Sequence, residues 1–210
     1  MAAAPTRLSI FPLAGAILYP GLHLPLHIFE PRYRALVTDA LARDRRIAMI
    51  QPRSRDDDSG EGLGLFDIGC VGKIDEVEAL DDGRFNIVLE GLSRFRLLRE
   101  LPVATPFRQV EGELLDEPED AVLSAIERAG FEREARRFAQ SQGYAIDWDA
   151  VGRLDDLTLI NGVAQIAPFD AAAKQALLEA EDLPTRCELL VQLMQFFGRR
   201  DGDDTVVTLQ

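Results

Sequence analysis

Hydrophobic positions in the first 115 residues mostly alternate, and those after residue 116 mostly recur at helical spacing. Leu8 to Leu13 and Leu22 to Phe29 read as short extended pieces around a Tyr19-Pro20-Gly21 turn, with prolines at positions that suit strand ends or edges. The period then switches: Tyr33, Leu36, Val37, Ala40 and Leu41 after Glu30-Pro31 predict an amphipathic helix with proline in its first turn. Arg46 to Gln51 is a short apolar strand, and Pro52 to Gly64 has charge and glycine without period, which predicts a mobile loop. Alternation returns at Phe66, Ile68, Cys70 and Gly72. A hairpin follows, turning at Asp81-Asp82-Gly83 and returning through Phe85, Ile87 and Leu89. Gly91 separates that strand from a further one, Arg94 to Leu98, and the half ends with Val103 to Leu114. Many short strands joined by glycine turns and interrupted by one helix predict a small closed or half-closed barrel, mostly antiparallel or mixed.

Asp116 to Asp120 is the boundary, because proline followed by acids is a helix-start signal. Four helices are predicted beyond it: Pro118 to Gln142, ended by Gly143; one from about Asp155; one from Asp170; and Pro184 to Phe197, stopped by Gly198. Residues 199–210 read as a flexible acidic tail. The fold class is therefore α+β, with a β-rich domain over 1–115 and a helical subdomain over 116–198.

Composition narrows the function classes. With 47% hydrophobic residues and 11 Phe the chain can bury a real core. The net charge of −13 divides as −2 over residues 1–100 and −11 over 101–210. An acidic half repels phosphate backbones and anionic lipid, which disfavours nucleic acid and membrane as partners. Cys70 and Cys187 are far apart and outside any C-x-x-C pair, so they read as reduced core thiols. The apolar start is broken by Pro12, Pro20 and Pro25 and carries only Arg7 before Ala14-Gly15-Ala16, so it does not read as a signal peptide. No stretch reaches the ~18 apolar residues of a membrane span. These features point to a soluble, cytoplasmic protein.

Motifs for catalysis do not assemble. Gly72-Lys73-Ile74 lacks the hydroxyl and the first glycine of a phosphate-binding loop, and Gly60, Gly62, Gly64 and Gly69 do not give a dinucleotide fingerprint. His23 and His27, the only histidines, would share a face of a strand; a metal there needs a third ligand, for which Glu30 is nearest in sequence. Asp56-Asp57-Asp58 and Asp201, Asp203 and Asp204 lack the spacing of a calcium loop. No cofactor, metal or catalytic residue is assigned.

Three stretches, in this order and spacing, are similar to the N-terminal, substrate-binding domain of the Lon (La) ATP-dependent protease family. The first is Leu8-Ser9-Ile10-Phe11-Pro12-Leu13 with Tyr19-Pro20-Gly21, Leu24-Pro25-Leu26, Ile28-Phe29-Glu30 and Arg32-Tyr33. The second is Gly69-Cys70-Val71-Gly72-Lys73-Ile74, and the third runs from Asp82 to Gly91 and on through Arg94 to Leu97. More loosely, Leu183-Pro184-Thr185-Arg186 before Leu189-Leu190 is similar to the family's closing helix. The resemblance implies a PUA-like β-barrel followed by a helical subdomain. Family proteases continue into ATPase and Ser-Lys protease modules; this chain stops before either and so resembles a standalone, non-catalytic member.

The function this implies is binding of unfolded or client polypeptide, in concert with a protease or other protein machinery, by a monomer or a homo-oligomer. Leu18, Tyr19 and Leu22 flank Pro20-Gly21 with apolar side chains and could form an exposed patch for such partners, or fold back as core. The alternative is a PUA-like RNA-binding protein, using Arg32, Arg34, Arg43, Arg45, Arg46, Arg53 and Arg55 as one basic face. A hydrolase built on His23 or His27 is a third reading without a partner motif.

Overall fold

The computed structural model describes residues 4–53, 64–115 and 122–200. The chain divides into two compact units, Met1–Glu117 and Pro118–Gln210. The first holds β1 (Thr6–Pro12), β2 (His23–Ile28), α1 (Pro31–Leu41), β3 (Arg46–Ile50), β4 (Ile68–Ala79), β5 (Phe85–Leu101) and β6 (Gln109–Leu114). Its six strands lie in the order β2-β5-β4-β3-β1-β6, and β5 also pairs with β6. The sheet is therefore a closed ring of five strands with β2 appended. Only β1–β3 is parallel.

Length explains how one strand serves three neighbours. β5 has 17 residues; its first part pairs with β2, from Phe85 opposite Ile28 to Glu90 opposite His23, and its last part with β6, from Phe95 to Leu101. Alternation sorts the apolar side chains into two cores. Leu8, Ile10, Ala48, Ile50, Val71, Phe95 and Val110 come from all five ring strands and fill the ring. The opposite face carries Phe11, Ile47, Met49, Ile74, Ile87 and Leu89, against which Tyr33, Leu36, Val37 and Ala40 of α1 are buried.

Gly91 does not separate two strands, as its position in the sequence suggested; β5 runs through it. A Cβ there would drive into the Tyr19 carbonyl, so the glycine marks a close backbone approach. The segment from Val103 contributes a strand only from Gln109. Most of the Pro52–Gly64 loop, Arg55, the boundary at Asp116–Asp120 and the Asp56–Asp58 cluster lie outside the described residues.

The second unit holds α2 (Ala125–Ser141), α3 (Trp148–Val151), α4 (Asp156–Ile166), α5 (Ala171–Glu179) and α6 (Leu183–Arg200). Its helices start on side-chain caps. Ser124 and Glu127 form a reciprocal capping box on α2, while Asp147, Asp155 and Asp170 accept from the first-turn N–H groups of α3, α4 and α5. α6 is anchored from inside: Arg186 is fully buried, its Nε donating to the Leu177 carbonyl at 2.9 Å and its Nη1 to Asn161 Oδ1 at 2.7 Å. One side chain thus ties α6 to α5 and α4. Gly198 does not stop α6: the helix continues through it to Arg200, and a Cβ there would stand at ordinary contact distance, 3.5 Å, from Phe138 and Ser141. Residues 201–210, including the second acidic cluster, lie outside the described residues. Among the described residues no helix is long and apolar enough to cross a membrane.

Candidate functional site

The turn that carries the sequence-based site forms as a turn and not as a surface patch. Leu22 N–H donates to the Tyr19 carbonyl at 3.2 Å and Gly21 has φ of 78°, a type II turn with Pro20 at its second position. Gly21 N–H donates to the Gly91 carbonyl at 2.9 Å and Gly91 N–H to the Leu22 carbonyl at 2.8 Å, stitching the turn to β5. Leu18 is 1% and Tyr19 0% exposed, and only Leu22 is partly open. The expected exposed patch of Leu18, Tyr19 and Leu22 is corrected accordingly: Gly91 and Gly72 leave room for the turn, and Leu18 fills it within the core on the α1 side of the sheet.

The histidines and arginines are engaged locally. His23 Nε2 lies 3.7 Å from Asp75. His27 lies between Asn86 Oδ1, at 2.7 Å from Nδ1, and Arg84, which donates to Nε2 at 3.2 Å. Arg32, Arg43, Arg46 and Arg53 pair with Glu30, Asp39, Asp44 and Asp67. Arg45 donates to the carbonyls of Ile74 and Asp75, and Arg34 occupies the space a Cβ on Gly83 would need. Four of these arginines are thus paired with a neighbouring acid and Arg45 is tied to carbonyls, so among the described residues the run is not one free basic face. Both cysteines are buried, and burial pushes the Cys187 thiol up to about 11, which keeps it protonated at neutral pH.

A different feature has the chemistry of a binding site. In the helical unit a groove of about 730 Å³ is walled by Phe138 and Ala139 of α2, Trp148 and Val151 of α3, and Leu159 and Val163 of α4, with Met194 of α6. Its rim keeps large apolar groups in water: Ile166 is 77%, Tyr144 51%, Leu154 41% and Ile146 37% exposed. Contiguous apolar exposure of this kind costs solvation free energy unless something covers it. The volume is that of a site for several side chains.

Local sequence builds this groove. Gly143, at φ of 71°, ends α2 in a Schellman motif, with Tyr144 N–H donating to the Ala139 carbonyl at 2.9 Å and Gly143 N–H to that of Gln140 at 3.2 Å. The chain turns sharply there and brings Tyr144 and Ile146 along one wall. Asp147 then starts α3, whose single turn presents Trp148 and Val151. Gly162, in the middle of α4, has nothing within 4 Å of where a Cβ would stand, so it widens the groove. Arg128 closes the support, donating to the Leu154 and Val151 carbonyls while paired with Glu132 and Asp156. The guanidinium of Arg136 lies 4.4 Å from the centre of the Trp148 ring. Apart from Gly143, read as the end of the first helix, none of these residues was singled out in the sequence. The signal was there as Tyr144, Ile146, Trp148 and Leu154, apolar residues between two predicted helices.

Comparison with known proteins gives a consistent picture. Lon protease 2 of Sorangium cellulosum (strain So ce56) is 29% identical over 195 residues, covering 88% of this chain and 24% of that protein. The Lon protease of Escherichia coli (strain K12) is 24% identical over 194 residues, with coverage of 90% and 24%. The chain spans about a quarter of the length of these relatives. Among solved structures, a Lon N-terminal domain protein from Xanthomonas campestris superposes with a TM-score of 0.67 at 21% identity, over 89% of this chain and 98% of that one. The N-terminal domain of Mycobacterium avium complex Lon protease gives 0.68 at 20%, over 90% and 98%. These two establish the fold. The family described as the ATP-dependent protease La (LON) substrate-binding domain matches residues 7–195, most of both units, and the chain belongs to that family.

Proposed function

We propose that this chain is a non-catalytic polypeptide-binding module that holds exposed apolar segments of unfolded client chains in the groove of its helical unit. The observation that carries the reading is the groove itself, an open apolar surface whose rim side chains Tyr144, Ile146, Leu154 and Ile166 stay in water. The family's description as a substrate-binding domain supports it. Aromatic groups such as Tyr144 and Trp148 supply contact area at low entropic cost, which suits weak, repeated capture of varied sequences. Delivery of such clients to a protease is the part of the proposal that rests on the relatives' names, Lon protease and Lon protease 2.

Filling the groove tests the site better than truncating it, because a filled groove leaves the core intact. Gly162→Leu adds a side chain where the helix leaves open space, and leucine is the better helix former. A reduced, carboxymethylated model protein should bind the wild type and bind Gly162→Leu ~10-fold more weakly, a loss of about 1.4 kcal/mol. The melting temperature should not fall. Undiminished binding by the folded variant would place the site elsewhere.

A further inference from the structure

We infer that the groove selects apolar segments that carry a carboxylate beside the apolar run, with Arg136 as the selecting cation. This rests on the groove being the client site. Arg136 stacks its guanidinium face on Trp148 at 4.4 Å, so the N–H edge stays available for a second group. Among the described residues no carboxylate lies within ion-pair distance of it. Asp147, next in sequence to Trp148, is committed to the N–H groups of Asp149 and Ala150 at 3.0 and 3.1 Å. Arg128, whose guanidinium donates to the carbonyls of the groove residues Val151 and Leu154, is already held by Glu132 and Asp156. Arg136 is exposed and, among the described residues, stands without a carboxylate partner where it stacks on Trp148 at the edge of the groove, so a carboxylate brought there by a bound segment gains a charge-assisted contact. A carboxylate one or two residues outside the buried apolar run can meet its N–H edge, and a lysine there meets repulsion. The chain's net charge of −13 opposes acidic clients at long range, so the preference belongs to the contact and shows where salt screens beyond roughly 8 Å.

Trp148 is the only tryptophan in the chain and lines the groove, so its emission reports occupancy of this site. Two tryptophan-free, dye-labelled peptides with the same Phe/Leu core, one flanked by Glu and one by Lys, are titrated against the full chain in ~150 mM salt, following both Trp148 emission and peptide anisotropy. The Glu-flanked peptide should bind tighter by roughly two- to five-fold, the range of a rim ion pair. Arg136→Gln should abolish the difference and Arg136→Glu reverse it, whereas Arg137→Gln, an exposed cation of the same helix outside the groove, should leave it intact. Equal binding of both peptides with a Trp148 response, or a preference that survives Arg136→Gln, overturns the selectivity and leaves the site standing. Anisotropy change without any Trp148 response overturns the site and the selectivity together. A Trp148 response to protein concentration alone identifies a second copy of the chain as the occupant and likewise overturns the inference.

Discussion

Tyr19 and Gly91 are two halves of one packing arrangement. The absent Cβ of Gly91 lets the Tyr19 carbonyl approach, and two backbone hydrogen bonds hold the turn against β5. Gly91→Ala should therefore cost ~1–3 kcal/mol, the range for overpacking a filled interior, seen as a lower urea midpoint with unchanged slope. Tyr19→Ala should cost more, ~3 kcal/mol or above, as a buried aromatic lost from the core. Near-native stability of either variant would contradict this packing. Gly162→Ala should do the opposite and stabilise by ~0.5–1 kcal/mol, because the space around it is open and the helix gains propensity. The sequence carried these distinctions poorly. It showed that Leu18, Tyr19 and Leu22 are apolar around a turn, but whether such a turn is wet depends on what lies opposite. The informative residues were Gly72 and Gly91, inside strands where a glycine costs stability unless a backbone or side chain comes close.

Helix starts in the second unit are set by caps, and the caps titrate. Asp155 accepts from the backbone N–H and the hydroxyl of Thr158, and these bonds, the backbone one foremost, hold its carboxyl below the ordinary carboxylate range. A carboxylate whose folded pKa is lowered contributes its stability above the unfolded value and loses it as pH falls through the folded one. Asp155→Ala should cost ~1 kcal/mol in urea unfolding at neutral pH, and the gap to wild type should close as the solution is acidified below the ordinary range. A gap independent of pH would contradict the cap. Element types were legible where period and caps agreed: α1 from its i, i+3, i+4 pattern, α4 from Asp155 and α5 from Asp170. α3 was not, since one turn of four residues has no period and exists because Asp147 caps it. The long β5 was misread as two strands, because a strand glycine reads locally as a break although this one is a contact.

At the scale of the whole molecule, charge and apolar surface separate the two binding readings. Arg32, Arg43, Arg46 and Arg53, which could have faced RNA, are paired with neighbouring acids and Arg45 with carbonyls, while the groove of the helical unit is apolar. Client binding should therefore change by no more than a few-fold between 50 and 200 mM salt, whereas a protein making several phosphate contacts loses ~10³-fold or more over that range. A steep salt dependence would favour the RNA reading. The barrel, the helical half and the family were legible from residues 8 to 115 and the closing helix, because strand alternation and motif order are local properties. The groove was not, because its walls come from four separate helices and the loop between two of them, and only folding brings those residues side by side. Amide hydrogen exchange of the full chain, with and without a reduced, carboxymethylated client, tests the central claim most directly. Client binding should slow exchange in residues 135–166, across the end of α2, the Gly143–Asp147 turn, α3 and α4. Slowing confined to β2 and α1, with residues 135–166 unchanged at saturating client, would contradict it.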